Sequence, residues 1–150
     1  MSGVSDDLPA APPLEVLRLD HVGLSVSNLD QSRAFYAKVF GFTAQEHAFE
    51  LLAHDIRGVV LVNPQSMARI ELFTRAGSQS SPAGHPTESV RRQGLFQFAF
   101  GVRDVTAGFE RVTSLGATPV LTPRIAPDGR CVIAFVGDPD GNLIELIERA

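Results

Sequence analysis

This chain repeats itself once, and the repeat limits its fold more than any other feature. The order strand, helix, strand, strand, strand is spelled out twice. In the first copy "LDHVGLSV" (19–26) alternates as a strand does, and "SNLDQSRAFYAKVFGF" (27–42) has helical spacing. Asn28 is the expected N-cap, with Gln31 completing a capping box and Gly41 stopping the helix. Leu29, Ser32, Tyr36 and Val39 or Phe40 form its predicted inner stripe. Runs around 43–48, "GVVLVN" (58–63) and "ARIELFT" (68–74) read as strands, the last two joined by the turn "NPQS". The second copy has the strand "GLFQFAFGV" (94–102) and the helix "RDVTAGFERVTSLGA" (103–117), capped by Asp104. Three more strands follow, "TPVLTPR", "RCVIAFVGD" and "NLIELIE", with the tight turn "DPDGN" between the last two. Aligning the copies puts His21 on Gln97, Val26 on Val102 and Glu71 on Glu145.

The predicted fold is therefore α+β: tandem βαβββ modules forming a curved, partly open eight-strand sheet around a cleft, with the helices outside. The expected divisions are a disordered N-terminal tail (1–16), a first module (17–75), a polar linker or flap (76–94) and a second module (95–150). At 150 residues these make one structural domain.

Side chains alternate across a strand, so each strand separates into two faces. Val22, Leu24 and Val26 point to the helix, and His21, Gly23 and Ser25 point away. In the repeat Phe98, Phe100 and Val102 face the helix, leaving Gln97, Ala99 and Gly101 on the other side. Arg69, Glu71 and Phe73, with Leu143, Glu145 and Ile147, share that second face. His21, Glu71, Gln97 and Glu145 thus become candidate metal ligands on one concave surface. A single strand histidine is ordinarily a hydrogen-bonded rim residue. Two carboxylates turned to the same enclosed face, however, are costly unless a cation neutralises them.

Composition removes other classes. The net charge is −4 and the basic residues are scattered, which argues against nucleic-acid binding. No apolar run is long enough to span a membrane. Cys131 is the single cysteine, so an internal disulfide is excluded and a reducing compartment is expected. "MSGVSDDLPAAPP" has no basic-then-apolar order, and a cytoplasmic location is the expectation.

On "LDHVGLSVSNLDQSRAFY", "ARIELF", "FQFAFGVRDV" and "DPDGNLIEL", over about residues 17–149, the chain resembles the vicinal oxygen chelate superfamily. That group includes glyoxalase I, methylmalonyl-CoA epimerase, extradiol dioxygenases and the fosfomycin- and bleomycin-resistance proteins. The resemblance implies metal ligands on the first and fourth strands of each module: His21, Glu71, Gln97 and Glu145. Dioxygenases use two histidines and one carboxylate. Gln97 stands where a second histidine would be, and Glu71 where they have no ligand, which argues against iron redox chemistry. The mixed set is nearest to the glyoxalase I and epimerase branch. The resemblance also implies a homodimer, which fits the strand edges a two-module sheet leaves open.

The implied function is a metal-dependent isomerase, lyase or epimerase acting through a metal-stabilised enolate of a small oxygenated substrate. The ion would be Ni²⁺, Co²⁺, Mn²⁺, Zn²⁺ or Mg²⁺, in keeping with an oxygen-rich donor set that has one imidazole and no sulfur. Glu145, with Glu71 as the alternate, is the expected general base. Arg69, Phe73 and Leu143 are the expected substrate-side residues. The alternative from another class is a metal-free antibiotic-binding and resistance protein of the same fold.

Overall fold

Eight strands divide into two hydrogen-bonded sheets, each with its own helix across one face. The structure, a computed structural model, describes residues 12–150, so residues 1–11 of the expected tail lie outside the described residues. The first sheet holds β1 (Val22–Ser25), β2 (Ala44–Leu51), β3 (Ile56–Val62) and β4 (Arg69–Arg75) in the order β1-β4-β3-β2. The second repeats it as β5-β8-β7-β6, from β5 (Gln97–Gly101), β6 (Thr118–Ile125), β7 (Cys131–Gly137) and β8 (Leu143–Arg149). In each, the first strand pairs parallel with the fourth, and the remaining pairs are antiparallel. The helices are α1 (Leu29–Phe40), the short α2 (Pro86–Ser89) within the linker, and α3 (Val105–Ser114).

The caps follow the sequence. Asn28 Oδ1 accepts from the Gln31 amide at 2.9 Å, and Asp104 Oδ1 accepts from the Ala107 amide at 2.8 Å. Gly41 closes α1 at φ +74°, where a side chain would be strained.

One strand start and one helix face differ from the sequence reading in ways that bear on the site. β1 starts at Val22, so His21 sits just ahead of the strand. Among the described residues its only ladder runs along β4, beginning at Val22 opposite Ile70, directly after the first residue of β4. On α1, Phe35 is buried beside Ser32 and Tyr36, whereas Leu29, Val39 and Phe40 pack at the margin. The stripe is shifted because α1 serves both modules. The Tyr36 hydroxyl donates to Asp138 Oδ2 in the β7–β8 turn at 2.8 Å, and Phe40 and Phe42 pack on Phe100.

The core is one cluster shared by both modules. Val26, Ile70 and Leu72 contribute from the first, and Val136, Ile144 and Leu146 from the second. Each such buried side chain stabilises the fold by roughly 1.5–3 kcal/mol. The "DPDGN" turn ties the modules further, since Asp140 Oδ1 accepts from the Ser27 amide at 3.0 Å. The linker is fastened to this turn by the Ala83 amide, which donates to the Gly141 carbonyl at 3.1 Å, and is braced internally by Arg92, which donates to Ser81 Oγ at 3.0 Å.

Candidate metal centre

The parallel β1–β4 ladder sets the first donor pair. Gly23 lies opposite Glu71, so His21, two residues earlier on the same face, leans toward that carboxylate. His21 Nε2 is 3.0 Å from Glu71 Oε2. The second module repeats the offset, with Ala99 opposite Glu145 and Gln97 two residues earlier. Gln97 Nε2 donates to Glu145 Oε2 at 2.8 Å.

The separations fit an ion. Two donors bound at about 2.1 Å in neighbouring positions of an octahedron lie about 3.0 Å apart. Gln97 here turns its nitrogen to Glu145; a half-turn of the amide presents the oxygen instead, and the two orientations are nearly isosteric. What one chain does not do is bring both pairs to one point. Among the described residues no three His, Cys, Asp or Glu side chains converge on a single position.

Electrostatics divide the pairs. Asp20 Oδ2 is 3.0 Å from His21 Nδ1, and this hydrogen bond, assisted by Glu71, holds the imidazole pKa above its ordinary value. His21 and Arg18 in turn hold Asp20 below the usual carboxylate range. Burial pushes Glu145 up, against the opposing influence of Arg149 and the Gln97 hydrogen bond.

The other candidates are placed as follows. Arg69 lies on the expected strand, but its guanidinium is gripped by Glu46 at 3.1 and 3.2 Å. Glu46 gets there because β2 bulges between Gln45 and His47. Phe73 stacks edge-on against Phe49 and lies over Gly23, filling space that the small residue leaves. Gly101, which aligns with Ser25 in the repeat, has nothing over it. Leu143 is buried and lines a cavity of about 570 Å³ between β1, Gln97 and the linker, with Arg92 and Asn142 on its wall. Sequence reasoning missed Asp20 and Glu46. The "DH" pair at 20–21 was a signal for the first; nothing local announces a bulge.

Residues 18–146 match the family described as the glyoxalase/bleomycin resistance protein/dioxygenase superfamily. The chain belongs to that superfamily. A superfamily member from Arabidopsis thaliana, named lactoylglutathione lyase, is 31% identical over 149 residues, covering 97% of this chain and 49% of its own length. A probable lactoylglutathione lyase of Synechocystis is 29% identical, covering 87% of this chain and 94% of its own. Glyoxalase I from Zea mays superposes with a TM-score of 0.68 at 27% identity, over 89% of this chain and 45% of that one. A glyoxalase family protein from Enterococcus faecalis, at 21% identity and TM-score 0.74, shares the fold. The chain thus spans about half the length of the plant relatives and nearly all of the bacterial ones.

Proposed function

We propose that this chain is a divalent-metal-dependent lyase or isomerase that moves a proton on a carbon beside a carbonyl, through an enolate. The observation that carries this is the repeated donor pair, His21 with Glu71 and Gln97 with Glu145, each at ligand-to-ligand spacing. Each pair is half a coordination shell. A homodimer in which one chain's His21 and Glu71 meet Gln97 and Glu145 of the partner subunit makes two complete sites. It also covers the exposed β1 and β5 edges, where Leu19 and Leu95 stand largely in solvent.

When bound, a divalent ion of the Ni²⁺, Co²⁺, Mn²⁺, Zn²⁺ or Mg²⁺ group supplies Lewis-acid polarisation of a substrate carbonyl. His21, Glu71 and, after a half-turn of its amide, the Gln97 oxygen would hold it. Glu145, whose proton affinity burial raises, is the base that takes the carbon-bound proton and returns it. Leu143 and Phe73 give the substrate apolar walls that exclude water, and Arg69 is the cation at the rim.

The relatives' names suggest lactoylglutathione as the first compound to test. Metal-loaded protein in deuterated buffer is expected to exchange the lactoyl proton beside the carbonyl, followed by NMR. Protein purified without chelator is expected to carry metal by elemental analysis. Absence of metal, with no thermal shift on adding Ni²⁺, Co²⁺, Mn²⁺ or Zn²⁺, sinks the enzyme reading and favours the metal-free binding protein.

A further inference from the structure

We propose that Asp20 is a positioning residue that selects which nitrogen of His21 is available to a metal; this rests on the reading of His21 as a ligand. A neutral imidazole carries one ring proton, so an acceptor fixed on one nitrogen frees the lone pair of the other. Asp20 Oδ2 stands 3.0 Å from Nδ1, and Nε2 points to Glu71 Oε2, also at 3.0 Å. Arg18 Nη2 donates to the other oxygen, Oδ1, at 3.3 Å, which leaves Oδ2 to the ring. Without Asp20 the ring proton can settle on Nε2, donate to Glu71 and occupy the very position an ion needs.

The repeat supplies an independent observation. Aligned with His21 is Gln97, and aligned with Asp20 is Phe96. A glutamine amide has no tautomer to choose, and its module has no carboxylate at that place. The acceptor occurs where the donor is an imidazole.

The test uses Zn²⁺ as the probe and the full chain. Asp20 precedes β1, outside every strand and helix, so its variants are expected to fold. By calorimetry, Asp20→Ala is expected to bind Zn²⁺ about 10–100-fold more weakly than wild type. In the proton spectrum of the Zn²⁺-loaded wild type, the His21 Nδ1 proton is expected far downfield and slow to exchange. In Asp20→Ala that signal is expected to be lost. Asp20→Asn keeps an acceptor oxygen and is expected to recover most of the affinity and the signal. Arg18→Ala, which removes only an exposed ion pair, is expected to stay within about threefold. An Asp20→Ala protein with wild-type affinity and a retained signal overturns the proposal. So does an Asn variant as weak as the Ala variant, since charge rather than the hydrogen bond is then at work. Wild-type protein that binds no Zn²⁺ at all fails differently: it sinks the metal reading, and the role of Asp20 falls with it.

Discussion

In the first module an imidazole and a carboxylate meet 3.0 Å apart beside a short edge strand, and in the second an amide and a carboxylate meet at 2.8 Å on the same register. The backbone offset is identical, so the strand geometry was kept while the chemistry parted. In the first pair the imidazole is braced by Asp20, and Phe73 closes over Gly23. In the proposed mechanism the second moves the proton. Burial raises the proton affinity of Glu145, the amide beside it has no proton equilibrium to compete, and the space beside Gly101 is open. The turns diverge likewise. Asn63 holds the carbonyl end of α1 within its own module, at 2.9 Å from Phe40 O, whereas Asp138 reaches across to Tyr36.

The largest expected effect separates the two glutamates. Glutamine still offers an oxygen to a metal but accepts no proton at neutral pH. Glu145→Gln is therefore expected to keep fold and metal while losing substrate proton exchange with deuterated solvent by about 100-fold or more. Glu71→Gln is expected to lose less exchange and more metal. If both variants retain metal and exchange at the wild-type rate, neither carboxylate is the base.

Exchanging the donors sharpens the contrast. His21→Gln makes the modules alike and is expected to weaken Zn²⁺ or Ni²⁺ binding roughly tenfold or more, because imidazole is the stronger ligand for these ions. Gln97→His is expected to tighten it. Equal affinities in both variants, measured by competition with a chelator, would contradict the division of labour.

Much of this was legible in the sequence. Alternation in "ARIELFT" and "NLIELIE" placed Glu71 and Glu145 on one face, and the caps at Asn28 and Asp104 and the stop at Gly41 are local chemistry that tertiary contacts did not override. What a period cannot carry is contact across the chain. The burial of Phe35, the bulge that delivers Glu46 to Arg69, and the reach of Asp138 to Tyr36 all depend on which element lies opposite. The same limit applies to the donors, since face membership puts four side chains on one kind of surface without bringing two sheets' pairs together.

The turns give a test of stability. Tyr36→Phe leaves buried Asp138 without its hydroxyl donor, though the Asn142 and Asp140 amides and the Asn142 side chain still serve it. The expected loss is about 1.5–3 kcal/mol, the range for a hydrogen bond to a charged group. Asn63→Ala, within one module, is expected to cost about 1 kcal/mol. Denaturant midpoints that fall in this order, at unchanged slope, support Asp138 as the tie between modules. The reverse order would place the weight on the first module's turn.

The smallest effect is expected at Arg69. Its guanidinium can serve an anionic substrate only by leaving Glu46, which grips it through two nitrogens and is itself held below the usual carboxylate range by that contact. A substrate anion would exchange one carboxylate partner for another at the rim, where solvent screens both. Little differential binding remains. Arg69→Ala is accordingly expected to raise KM by no more than about threefold and to leave kcat alone, because the proposed base, Glu145, lies in the other module. Glu46→Ala is the sharper variant, since it frees the guanidinium without deleting it and is expected to lower KM for an anionic substrate. If Arg69→Ala instead costs tenfold or more in kcat, the first module takes part in the chemistry as well as in holding the ion, and the division between the modules is wrong.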